Sequence, residues 1–139
     1  MRGVGGGGCE RWARIEFDAG AGLGRWGMRA LVVTGFLGRL RGLLGTGRDD
    51  ERAVPLLLVG CQSVHTLGMR YQLDVVLVDE GGLVLGSWRE LPAGRAVRCA
   101  GARHALERPS CGEPWPVVGD QVELRNMWHV MGARDGQDE

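Results

Sequence analysis

Residues 61–88 read CQSVHTLGMRYQLDVVLVDEGGLVLGSW: a polar approach, a nearly unbroken apolar run, a glycine turn and a second apolar run. Alternation along the first run places Leu73, Val75 and Leu77 on one face of a strand and Asp74, Val76 and Val78 on the other. Both faces are mostly apolar, so such a strand has cover on both sides. Asp79, Glu80, Gly81 and Gly82 supply turn chemistry into the second run, residues 83–88, and a β-hairpin is the expectation.

Upstream of the hairpin, residues 14–18 alternate polar and apolar with a period of two, which fits a short half-buried strand, and GAGLG then breaks the pattern. Residues 28–34 (MRALVVT) read as a second strand with β-branched residues toward its end. Thr34 then stands at an N-cap position before GFLGRLRGLLG, where Phe36, Leu37, Leu40, Leu43 and Leu44 fall on one stripe of a helix spanning about 35–45. Gly35, Gly38, Gly42 and Gly45 lie opposite, and each costs about 1 kcal/mol relative to alanine, so this helix needs docking to form. Residues 46–53 form a charged loop, and residues 54–59 a buried strand that begins at a proline. Downstream, residues 90–95 are a loop, residues 96–100 and 102–107 are short strands, and three prolines keep residues 109–116 irregular. Gly119 and Asp120 turn into a last strand at residues 121–126. Many short strands with one helix make an α+β domain, mainly an antiparallel sheet or partly closed barrel. At 139 residues and 44% hydrophobic content the chain supports one core. We place a flexible glycine-rich tail at residues 1–11, a single domain at 12–130 and a polar tail at 131–139.

Seventeen basic and seventeen acidic residues cancel, which argues against a general attraction to nucleic acid or to anionic membrane. Every basic residue is arginine, a usage that follows GC-rich codon composition. Arg25, Arg29, Arg39, Arg41, Arg48 and Arg52, with Trp26 for stacking, form the one basic cluster, and codon usage accounts for it; no nucleic-acid partner is expected. No apolar run approaches the ~20 residues that span a bilayer, so no membrane span is expected. The first residues lack the features of a secretory signal, and a cytoplasmic location with reduced cysteines at 9, 61, 99 and 111 is the expectation. Without a C-x-x-C or H-x-x-x-H pair, neither metal nor other cofactor is expected.

A carboxylate inside an apolar strand must be paired, hydrogen-bonded or neutralised, which singles out Asp74. Arg70 is near in sequence, but four extended residues separate the two by ~13 Å. Backbone amides or an arginine of another strand are the structural alternative. Cys61, His65 and Asp74 together offer a nucleophile, a base and an orienting acid.

The strand followed by R-x-R-G-L-L (residues 39–44), then S-V-H-T-x-G-M-R (63–70), L-D-V-V-x-x-D-x-x-G (73–82), a proline-glycine loop, L-E-x-P (106–109) and G-D-x-V (119–122), resembles the DUF192 family, also called UPF0127, over roughly residues 29–125. Gln72 stands where members of that family usually have proline, and LERPSCGEPWPVVGD replaces L-E-L-P-A-G and a following short helix. The resemblance implies a compact, β-rich bacterial or archaeal domain of unknown function, and brings no catalytic residues with it. The function expected from the residues is binding of a small ligand or a protein partner through Ser63, His65, Thr66, Met69, Arg70 and Asp74. The alternative is a thiol- or acid/base-dependent hydrolase using Cys61, His65 and Asp74.

Overall fold

The computed structural model describes residues 11–35, 38–39 and 42–125. The expected glycine-rich tail, apart from Arg11, lies outside the described residues, as does everything beyond residue 125. Among the described residues nine strands follow one another: β1 Trp12–Asp18, β2 Arg25–Val33, β3 Leu56–Val59, β4 Ser63–His65, β5 Leu73–Val78, β6 Val84–Leu91, β7 Ala96–Arg98, β8 His104–Pro109 and β9 Glu123–Arg125. Seven form one sheet in the order β6-β5-β8-β3-β2-β1-β9, and β4 pairs with β7 as a separate two-stranded ribbon. All pairings are antiparallel except β2 with β3, which residues 34–55 connect as a crossover.

The sheet curls until its two edges meet. Leu83, just before β6, bridges Gln121, just before β9. Val84 N donates to Asp120 O at 2.9 Å and Val122 N to Gly82 O at 2.9 Å. This seam makes the sheet a partly closed barrel and removes, at that end, the unpaired edge that an open sheet would expose. Gly82 permits the close approach: at φ +94°, a Cβ there would lie 2.1 Å from Val122 O.

Strand alternation divides the apolar side chains into two cores. Inside the barrel lie Ile15, Phe17, Ala30, Leu57, Val76, Val78, Leu106 and Val122, with Trp115 of the proline-rich segment packed among them. On the other face Leu56, Leu58, Leu73, Val75, Leu77 and Ala105 pack with Leu43, Val64 and Met69. All six residues of β5 are buried, as its two-sided apolar pattern requires.

The helix expected over about 35–45 is corrected. No helix is delimited among the described residues, and residues 36, 37, 40 and 41 lie outside them. Gly38 and Arg39 keep helical conformation, with Arg39 N donating to Gly35 O and Gly42 N to Gly38 O, but residues 42–45 are turn. Gly42 takes φ +51°, a left-handed conformation that a right-handed helix cannot pass through. The same glycine lies against Glu107, whose Oε2 would be 2.7 Å from a Cβ at that position. The segment therefore ends in a turn fitted over β8 and does not continue as a helix.

A pocket over the outer face of the sheet

β4 lies across the outer face of the large sheet because Thr66, just after it, is fully buried and clamps the next loops. Thr66 Oγ1 donates to Pro92 O at 2.7 Å and accepts from Arg95 N at 2.9 Å, while Thr66 N donates to Arg95 O at 2.8 Å. Met69 N donates back to Thr66 O, which turns Met69 inward. Between this clamped segment, β3, β8 and the turn at residues 42–45 is a cavity of about 260 Å³. Leu43, Leu58, Val64, Met69 and Leu73 are its apolar walls, and Arg39, Cys61, Ser63, His65 and Glu107 supply its polar groups.

Glu107 is the chemically unusual wall residue. It stands in register with Leu56 on one side and Val75 on the other, and is 2% exposed. Leu43 N donates to its Oε2 at 3.1 Å. Among the described residues no arginine pairs with it, and burial pushes its carboxyl up to about 7, against a weaker opposing pull from the Leu43 amide. Desolvation penalises the charged form, so this acid changes protonation near neutral pH. His65 Nδ1 is buried without a hydrogen-bond partner among the described residues. The Cys61 thiol donates to Ser63 O at 2.9 Å. Arg39 Nη1 donates to Thr34 O at 2.7 Å and Val59 O at 3.2 Å, which ties its charge to backbone carbonyls.

Four residues singled out from the sequence, Cys61, Ser63, His65 and Met69, line the cavity. Thr66 supports it from beneath, and Arg70 is exposed. Asp74 is elsewhere: lying between Leu73 and Val75, it faces into the barrel and pairs with Arg108 on β8, Oδ2 to Nε at 2.9 Å. Ser110 Oγ and Glu90 N also donate to Asp74 Oδ1, each at 3.0 Å. Arg108 donates on to Glu113 O and lies 4.3 Å over the Trp115 ring, so the ion pair pins the proline-rich segment to the barrel. Both partners expected of a structural Asp74 are present, an arginine of another strand and a backbone amide. Cys61, His65 and Asp74 do not assemble as a triad, because strand alternation sends Asp74 to the opposite face. Sequence reasoning missed Glu107 because its strand reads HALERP: with His104 and Arg108 beside it, no apolar run marks the acid as buried.

In the arginine-rich N-terminal part, Arg25 pairs with Glu16 and Glu123, Arg52 with Asp50, and Arg29 lies 4.7 Å over Trp12. Among the described residues no helix is long and apolar enough to cross a membrane, and Cys61, Cys99 and Cys111 are free thiols.

No family model matches the chain, and neither does any curated protein. Two solved structures do share its architecture. One, from Sinorhizobium meliloti, is described as a "putative transcription regulator"; it is 13% identical, with a TM-score of 0.62 over 86% of this chain and 98% of that one. The other is a protein of unknown function from Novosphingobium aromaticivorans, 15% identical, with a TM-score of 0.58 over 79% of this chain and 83% of that one. At such identities the likeness shows the fold: a small β domain whose sheet curls into a half-barrel.

Proposed function

We propose that this protein is a bacterial, cytoplasmic domain of the DUF192 type that binds a small ligand between the 63–69 segment and the outer face of its sheet. The observation that supports this reading is the cavity of about 260 Å³, where apolar walls surround a few convergent polar groups. A flat rim would have favoured a protein partner; a walled cavity favours a small molecule. Screening a library of small fragments by methyl NMR tests it. Binders should perturb Val64, Met69, Leu58 and Leu73 together, while Val76 and Val78 inside the barrel stay unmoved. Perturbations confined to exposed residues would end the reading.

A hydrolase remains the second reading because Cys61, His65 and Glu107 line one cavity. Glu107 would take the acid/base role first assigned to Asp74, whose carboxylate is held by Arg108. If Cys61→Ser and Glu107→Gln both leave every ester- or thioester-cleaving rate unchanged, that reading falls.

A further inference from the structure

Resting on the ligand-binding reading, we infer that the pocket takes a small organic cation, an ammonium or amidinium head on an apolar body, with the head against Glu107 and His65. Two buried polar groups line the cavity. Glu107 is buried in the cavity wall with no cationic partner among the described residues, and His65 Nδ1 is buried with no hydrogen-bond partner among them. Two of the donors that could serve an anion are committed, Arg39 Nη1 to two backbone carbonyls and the Cys61 thiol to Ser63 O. A cationic head supplies both a counter-charge, which the carboxylate has from none of the described residues, and several N–H groups for the imidazole. Leu43, Leu58, Val64, Met69 and Leu73 then enclose the apolar body.

The charged and titratable groups around Glu107 come from every packed element. Arg39, Arg48 and Asp50 belong to the crossover, Cys61 follows β3, His65 is on β4, and Tyr71, which feels the charges of Glu107, Asp50 and Arg48, precedes β5 with its hydroxyl 2.5 Å from that of Thr46. Tyr71 is pushed up, first by burial, and stays neutral through the physiological range. When the cation enters, Glu107 gives its proton to solvent and the ligand keeps its own. One proton is therefore released for each complex formed with a protonated Glu107.

Three probes with the same body and different heads separate the possibilities: cyclohexylammonium, cyclohexanol and cyclohexanecarboxylate, each titrated calorimetrically and by methyl NMR into the whole chain. Cyclohexylammonium should bind at about pH 8 at least about tenfold more tightly than cyclohexanol, since a charge-assisted pair is then available. Its Kd should rise about tenfold from pH 8 to pH 6, because the ionised fraction of a group titrating at about 7 falls from about nine-tenths to about one-tenth. Glu107→Gln should abolish both the preference and the pH dependence. A cyclohexanol or carboxylate preference at the same methyl groups overturns the cation and leaves a ligand pocket. A pH dependence that persists in Glu107→Gln moves the charge to another group and also overturns it. No perturbation by any of the three removes the pocket reading along with it.

Discussion

The substitution Glu107→Gln should make the protein more stable, and only above mildly acidic pH. Burial raises the Glu107 carboxyl from 4.5 to about 7, a difference of about 2.5 units, and each unit corresponds to about 1.4 kcal/mol. The folded state therefore holds this proton more tightly than the unfolded chain does. The stabilisation linked to it is fully present below about pH 4.5, declines as pH rises toward about 7, and is gone above that. The loss amounts to about 3 kcal/mol. Glutamine keeps the shape and an oxygen for the Leu43 amide, 3.1 Å from Oε2 in the native protein, but never ionises. Urea unfolding followed by tryptophan fluorescence, on both proteins from pH 4.5 to 8, should show curves close together at the acid end. By pH 8 they should be separated by about 3 kcal/mol in favour of the variant, or about 10 °C in Tm for a chain of this size. His104 lies in the barrel and is held below its ordinary value, chiefly by burial; it contributes equally to both proteins and cancels from the difference. A gap that does not change with pH, or a variant less stable at pH 8, would refute the burial argument for Glu107.

Asp74→Ala strands the buried Arg108 charge and should cost about 3–5 kcal/mol in chemical unfolding, whereas Asp74→Leu combined with Arg108→Met should recover most of that loss. Gly82→Ala drives a Cβ toward Val122 O at the seam and should cost more than about 3 kcal/mol, with faster amide exchange at Val84 and Val122 than at β5. Cys61→Ser, whose hydroxyl can donate to Ser63 O as the thiol does, should shift unfolding by less than about 1 kcal/mol and leave cyclohexylammonium affinity within about twofold.

The barrel was legible wherever a single local pattern dictated the answer. The apolar run at 73–78 and the glycine turn after it form β5 and the entry to β6, and the alternation at 14–18 and the run at 54–59 lie in β1 and β3. The helix misled because its leucine stripe was real: Leu43 does reach the outer core, but from a turn, since Gly42 sits in a left-handed conformation over Glu107. β4 was read only as part of a polar approach to the hairpin, because three residues carry too little periodicity and its pairing with Ala96–Arg98 is long-range. Cys61, Ser63, His65 and Met69, which line the cavity, were singled out because they flank the hairpin in sequence. Glu107 and Arg39 were not, because they reach the cavity from β8 and from the crossover, and no local spacing encodes that meeting. Asp74 was rightly marked as needing a partner; which face it served depended on the register of β5 against β8.

The seven-stranded sheet carries two separate interiors on the same backbone, Leu57, Val76 and Leu106 on one side and Leu56, Leu58 and Val75 on the other. Neighbouring letters of one strand thus answer to different constraints. Drift in the outer set can reshape the cavity while the barrel keeps its packing. Such a domain is free to change its outer face at alternate positions of β3, β5 and β8, and to keep its architecture through sequence change that erases most residue identity.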